Sequence, residues 1–510
     1  MSAHRHVTSA RSLLIAAMAL AASAAHAGKA NDTLVYASDS EVENISPYHN
    51  NLREGVVLSR MVFDTLLYRD PKSGEYKPQL ATAWTWESPT ALVLDLRQGV
   101  TFQNGDKFSA DDVAFTFNYV VSPESKVVTR QNVDWVKSAE KLGDYKVRLH
   151  LRAPFPAALE YLAGPTPILP AAYFKKVGLE GFGKAPIGTG PYKITAVTPG
   201  QGVTMVRNAA YFKASPQGQP RIGTLKFVII PDPETRVAQL MTGAVDWIWR
   251  VPSDQADAMR SMPNVTVQSG ETMRVGFLMM DSKGSADPKS PFKDVRVRQA
   301  VNHAINRDSM AKNLVRGGSQ TSAAVCYRTQ VGCETKGIAN YAYDPAKAKA
   351  LLAQAGYPNG FETDIYAYRE RDFAEAVIGD LQKVGIKARL RYMKYAALQG
   401  DYRGGKAPLT FQTWGSNSVN DASASLGVWF KGGADDIAKD GAVKTFLDAA
   451  DSAADLGVRK ANYAKALDLI ARQAYAAPLF TYSTSYAYTS QLNFQAYPDE
   501  VPRFYDASWK

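Results

Sequence analysis

The chain has 510 residues, of which 45% are hydrophobic, 21% charged and 11% aromatic. That composition excludes disordered, collagen-like and low-complexity architectures, and the length predicts roughly three domains with sizeable cores. The net charge of +10 is spread without a block of like charges, so it does not mark a nucleic-acid-binding arm.

Residues 1–27 read as an export signal. Arg5 and Arg11 form a basic start, Leu13–Ala22 an apolar stretch, and Ala25-His26-Ala27 a small-x-small cleavage site. The mature chain is therefore expected to begin at Gly28. The apolar stretch is too short to span a bilayer, which takes about 20 such residues, and no later stretch is long enough. No cysteine stands at the cleavage site, which leaves a bacterial lipid anchor without an attachment point. The mature protein is expected to be soluble, unanchored and periplasmic.

The mature chain opens with the apolar strand TLVYAS, and beyond Pro47 the segment MVFDTLLY is helical or mixed. From about Lys72 to Arg152 the pattern turns β-rich. ALVLDLR and KVRLHLR alternate apolar and polar residues, as half-buried strands do. Asn104-Gly105 signals a tight turn. Ser109 and Asp112 form a near capping box for the helix VAFTFNYVV. Prolines from Pro154 to Pro170 punctuate a boundary that GKAPIGTGPYKI ends. Pro191 follows Gly188-Thr189-Gly190 and lacks a backbone donor, so this segment reads as a turn into a strand and not as a phosphate cradle.

A second α/β region spans about 187 to 284, with the strand TLKFVII and a helix around TRVAQLMTG that Gly243 stops. A third starts at Pro291. DVRVRQAVNHAINRDSMAKNLV is expected to be a helix with Val297, Val301 and Ile305 facing the core. Arg296, Arg298 and Arg307 are expected to be its solvated or capping charges. Cys326 and Cys333 are the two cysteines, close together in a loop-like stretch. Export favours a disulfide closing a small ring, with a reactive pair or metal ligands as alternatives. DPAKAKALLAQAGYPNG reads as a complete helix, with Asp344 as N-cap, Pro345 in the first turn and Gly356 past the end. DFAEAVIGDLQKVGIKARLRY is a helix, a glycine stop and an alternating strand. Helices from Gly441 to Ala477 lead into the apolar strand PLFTYST.

GxSxG, HExxH and GxxxxGK[ST] are missing. Of six histidines, His49, His150 and His303 remain after cleavage, far apart in sequence. No catalytic residue, cofactor or metal site is expected. An exported hydrolase is the alternative.

Seven segments in order carry a resemblance: PQLATAWTWES, LDLRQGVTFQNGDKFSADDVAFTF, PIGTGPYKI, PDPETRVAQLMTGAVDW, FKDVRVRQAVNHAINRDSM, YDPAKAKALLAQAGYPNG and LQKVGIKARLRY. Together they resemble the family 5 extracytoplasmic solute-binding proteins, the dipeptide, oligopeptide and nickel-type receptors of ABC importers. The resemblance implies an α/β, two-lobed periplasmic binding protein fold (type II, cluster C-like) with an additional inserted β-rich domain. On this chain it implies domain I at 28–74, 186–284 and 480–510, an inserted domain II at 75–185, and domain III at 285–479. The strands near Arg274–Met280 and Leu479–Thr484 would act as hinges.

The same resemblance implies the site. Peptide receptors of the family set an arginine against the ligand carboxylate in the loop after the strand TDIYAY. Arg369 aligns there, with Arg371 as its neighbour, and a guanidinium can hold a carboxylate bidentately. LTFQTWGSNSVNDASASL looks like the family's Trp-Gly loop, with Trp414 as an apolar wall. Asn417 stands where dipeptide receptors carry an aspartate for the α-amine, and an amide cannot neutralise a buried ammonium. Asp421 keeps a later acidic position, either capturing a cation or capping the loop, while Ala422 replaces the usual proline. Ser38, Ser40 and Glu41 would face the cleft, and Asn132–Trp135 would close over the ligand. The implied protein is a monomeric receptor working with an inner-membrane ABC permease, without enzymatic activity or nucleic-acid partner. Short peptides and amino-acid conjugates such as opines lead as ligands. Sugar-like solutes or metal chelates come next, and bare nickel is disfavoured by the scarcity of histidine.

Overall fold

The strand Thr33–Ser38 is buried along its whole length because it runs inside a ten-stranded sheet. It lies parallel to Thr224–Ile229 on one side and Trp247–Trp249 on the other. Strands covered on both faces read as unbroken apolar runs, which is how TLVYAS reads. The computed structural model describes residues 28–42, 44–50, 52–415 and 418–510. The expected export signal and Asn417 lie outside the described residues. No helix among the described residues is long and apolar enough to cross a membrane.

Two long strands, Val265–Met280 and Ala476–Thr489, lie antiparallel at the centre of the sheet. They join two lobes. On one side follow Trp247–Trp249, Thr33–Ser38, Thr224–Ile229, Gly202–Arg207 and Tyr192–Thr198. On the other follow Leu409–Trp414, Phe361–Ala367 and Ile386–Tyr392. Each lobe has its own core, one around Trp247, Phe227 and Phe504, the other around Phe292, Leu381 and Phe411. A separate four-stranded antiparallel sheet holds Ala81–Ser88, Ala91–Leu96, Lys146–Leu151 and Val136–Gly143. Its apolar face (Leu92, Leu94, Val147, Leu149) packs on Val113 and Phe117 of the helix Ala110–Val121. That helix starts at a complete capping box, with the Asp112 carboxylate accepting from the Ser109 N–H at 2.9 Å.

Gly188 and Gly190 are explained by close packing. A Cβ at Gly188 would lie 2.1 Å from the Val62 carbonyl oxygen, and one at Gly190 would lie 2.6 Å from it. Gln103 Nε2 ties the turn together by donating to the carbonyls of Val62 and Tyr192 at 3.0 and 2.8 Å.

The segment after Pro291 departs from the single helix expected. The helix Val295–Ala304 ends where Ile305 turns extended, and a short helix Arg307–Ser309 runs into a π-helical turn, Met310–Val315. Asp380 accepts from the Asn306 N–H at 2.9 Å, which stabilises the break. Val297, Val301 and Ile305 are all fully buried. Arg296 is exposed and pairs with Asp294. Arg298 is buried and donates to the carbonyls of Phe292 and Lys293, just before the helix. Arg307 is half-buried and donates to Pro478 and to Asn302 in the last turn of the helix, which is the capping role expected of it.

Asp64 is fully buried and accepts from Thr189 at 2.8 Å, Tyr211 at 3.0 Å and Gln79 at 2.5 Å. Burial pushes its carboxyl up to about 6 against these donors. A carboxyl raised above its unfolded value binds its proton first in the folded chain. Its contribution to stability therefore grows as pH falls from 7 towards 4. His49 and His303, lowered by burial, act oppositely near the upper end of that window. Comparison with Asp64→Asn isolates the aspartate. Wild type should gain about 1 kcal/mol relative to the variant between pH 7 and 5, read from urea unfolding at the two pH values. A pH-independent difference would refute the assignment.

Candidate functional site

The ladder between the two long strands is interrupted between Glu271 and Val275. Backbone groups freed there find other partners. The Met273 N–H donates to the Pro498 carbonyl at 2.8 Å, which lays the C-terminal segment across the lobe junction. Glu500, two residues further on, is thereby brought to Arg274, with 3.6 Å between the carboxylate and Nε. Arg53, at the start of the helix Arg53–Val62, meets the same carboxylate at 3.3 Å. Arg274 also donates to Thr413 Oγ1 at 3.1 Å.

The Glu500 carboxyl is buried, and burial alone would raise its pKa. Arg274, Arg53, Arg250 and Arg369 outweigh it and hold the carboxyl below its usual range. Burial pulls the Arg274 guanidinium down, against the pull of Glu500. Glu54, in the first turn of the Arg53 helix, is buried and accepts from Ser38 Oγ at 2.6 Å and Arg250 at 3.3 Å. Arg250 lies over the Trp249 ring at 4.6 Å and donates to Asp39 at 2.8 Å. Four non-glycine residues of this junction, Arg250, Glu370, Ser418 and Glu500, have φ between 35° and 65°. Such strain costs on the order of 1–3 kcal/mol each and concentrates at functional sites.

Arg369 belongs to this junction. It is 31% exposed at the side chain, pairs with Glu370 at 2.9 Å and lies over the Tyr482 ring at 5.7 Å. Burial disfavours its charge, but Glu370 and the tyrosines Tyr482 and Tyr368 more than restore it. Glu370 also accepts from Tyr482 OH at 3.1 Å. Trp414 ends the strand Leu409–Trp414. Its Nε1 donates to the Ala424 carbonyl at 2.8 Å, and its ring meets Trp429 edge-on. Gly415 follows as a close approach, since a Cβ there would lie 3.1 Å from Arg274 Nη2 and 3.4 Å from Arg53 Nη2.

Other expected contacts are engaged elsewhere. Asp421 is buried with both oxygens held by Arg459, at 2.7 and 2.8 Å, and it caps Ser423 N–H at 3.0 Å. It anchors the loop instead of presenting a free carboxylate. Arg371 is exposed on the helix Arg371–Lys383 and pairs with Glu375 one turn on, at 2.7 Å. Ser38 is buried between Glu54 and Trp249, and Glu41 accepts from the Gly200 N–H at 2.7 Å. Ser40 is half-buried. Asn132 and Trp135 are buried, and the Trp135 indole N–H donates to the Asn132 carbonyl at 2.9 Å. Cys326 and Cys333 form a disulfide, with Cα atoms 5.8 Å apart. No cluster of metal-ligating side chains occurs among the described residues.

Sequence reasoning missed Arg53, Arg274, Glu370 and Glu500. Arg274 carries a faint signal, a charge that directly precedes the apolar run Val275–Met280. Arg53 and Glu500 carry none, because their partners come from distant parts of the chain, and Glu370 is engaged both by its neighbour Arg369 and by the distant Tyr482. Asp421→Asn leaves Arg459 buried and unpaired, so unfolding free energy should fall by about 3–5 kcal/mol. Arg371→Ala should stay within about 0.5 kcal/mol of wild type by the same denaturant titration.

Three relatives give the context. The chain is 27% identical over 430 residues to the glutathione-binding protein GsiB of Salmonella typhi, covering 82% of this chain and 81% of that one. It superposes on the periplasmic binding protein DppA of Helicobacter pylori, solved with the peptide STSA, with a TM-score of 0.80 at 26% identity, covering 95% and 98%. HbpA2 of Haemophilus parasuis superposes with a TM-score of 0.78 at 25% identity, covering 94% and 100%. Residues 75–436 match the family described as "Bacterial extracellular solute-binding proteins, family 5 Middle". Two lobes on a shared pair of strands, an inserted β-rich domain and a charged junction between the lobes agree with that match: the chain belongs to the family 5 bacterial extracellular solute-binding proteins, which are transport receptors and not enzymes.

Proposed function

We propose that this protein is the periplasmic receptor of an ABC importer for a small carboxylate-bearing solute, a short peptide or an amino-acid conjugate such as an opine. The observation that carries the reading is the set of arginines, Arg53, Arg274 and Arg369, gathered at the lobe junction around Glu500. Guanidinium groups in a dry cleft favour carboxylates, which accept two parallel hydrogen bonds from one arginine. A glutathione-binding relative and a neighbour solved with the peptide STSA support a peptide-like ligand.

In this reading Arg369 takes the ligand carboxylate, Trp414 forms a wall and Asn417 reads the far end of the solute. Asp421 anchors the stretch that follows, through Arg459. The solute is released to a membrane permease without chemical change. Domain I (28–74, 186–284 and 480–510) and domain III (285–479) close on it, and domain II (75–185) is the insertion. The receptor acts as a monomer, exported by its signal segment and free of a lipid anchor.

Native mass spectrometry of mature protein taken from periplasm without dialysis tests the reading. A retained adduct of a peptide or amino-acid conjugate is expected, and an adduct without a carboxylate would refute it. Arg369→Ala should weaken binding of that ligand by about 2–5 kcal/mol in calorimetric titration. Unchanged affinity would remove Arg369 from the site.

A further inference from the structure

The ring closed by Cys326 and Cys333 has no part in the receptor reading above, yet its inner face is committed to one neighbour. Gln330 lies inside the ring and is 3% exposed. Its Oε1 accepts from the Tyr327 N–H at 2.9 Å. Its Nε2 donates to the Val419 carbonyl at 2.7 Å and to the Asp421 carbonyl at 3.3 Å. Val331, next in the ring, donates its N–H to the Asn420 carbonyl at 3.1 Å and accepts from the Ala422 N–H at 2.9 Å. The ring thus holds the backbone from Val419 to Ala422 from one side.

The same stretch engages the inserted domain and the opposite lobe from its other side. Val419 is 1% exposed and belongs to the core of the four-stranded inserted domain. The Asn420 N–H donates to Glu160 Oε1 at 2.7 Å. Ser418 accepts from Arg53 Nη1 at 2.6 Å and donates to the Asp499 carbonyl at 2.7 Å. One short stretch after Trp414 therefore bridges both lobes, and the disulfide ring supports it within its own lobe beside the Asp421–Arg459 pair.

We propose that the Cys326–Cys333 ring, acting through Gln330, is a positioning element of residues 418–422, so that closure of the ring governs how firmly the lobes hold a solute. Opening the ring returns conformational freedom to residues 326–333, and the loop then loses fixed partners for four of its backbone groups. The inference rests on the receptor reading only for the solute; the coupling of ring to loop stands without it.

The test compares oxidised wild type, the double variant Cys326→Ser/Cys333→Ser, and Gln330→Ala. Hydrogen exchange by mass spectrometry is read at residues 419–425, and calorimetry follows S-methylglutathione, whose blocked thiol cannot attack the disulfide. In both variants the loop amides should exchange at least tenfold faster while the strands of the inserted sheet do not change. The probe should bind at least tenfold more weakly. Adding Gln330→Ala to the double variant should change affinity less than twofold further, because both act through one segment. Unchanged exchange at 419–425 would overturn the proposal whatever the ligand. Faster exchange with unchanged affinity would overturn its link to solute holding. If wild type does not bind the probe, that counts against the proposed ligand class, and the radius of gyration by small-angle scattering decides instead. An unchanged radius in the variants would overturn the proposal. Gln330→Ala carries the test alone if the double variant does not fold.

Discussion

The break in hydrogen bonding between the two central strands sets the terms for the lobe junction. An unbroken antiparallel ladder would consume its own backbone donors. Between Glu271 and Val275 it does not, and the Met273 N–H takes the Pro498 carbonyl instead. That backbone bond lays the C-terminal segment across the strands and brings a carboxylate to Arg274 and Arg53. The electrostatics of the junction follow from a local choice made by the main chain.

The junction is energetically expensive. Buried ion pairs recover little of what desolvation takes, and apolar replacements of the same shape are often as stable or more so. Strained backbone at Arg250, Glu370, Ser418 and Glu500 adds to the cost. The cores at the two ends of the sheet offset it with ordinary apolar packing. The Asp421–Arg459 pair is of another kind. It lies within one lobe, is fully hydrogen-bonded and fixes a loop. That pair serves shape.

Much of the fold was legible because its signals are local. The Ser109–Asp112 capping box, the Asp344–Pro345 helix start and the glycine stops at Gly243 and Gly385 depend on a few neighbouring residues, and each marks an element boundary. The helix after Pro291 misled because Ile305 keeps the helical apolar spacing while its backbone is extended. The sequence pattern records which face is buried; the Asp380 bond that breaks the helix comes from another element. At the site, the resemblance pointed to the loops at Arg369 and Trp414, whose charge and bulk stand out in sequence. What escaped was pairing at a distance. Asp421 looks free until Arg459, 38 residues on, is folded against it. Arg53 and Glu500 have no sequence relation that would suggest contact.

Of the charged groups that meet at the junction, Glu500 comes last in chain order. A chain that crosses a membrane N-terminus first delivers Arg53, Arg250, Arg274 and Arg369 long before the acid they surround. Cores of the earlier elements can consolidate during that interval, since domains fold as units as they emerge. The junction cannot: Arg53 and Arg274 lack their common counter-ion, and Ser418 lacks the Asp499 carbonyl. The charge balance between Arg53, Arg274 and Glu500 therefore waits for the last residues of the chain.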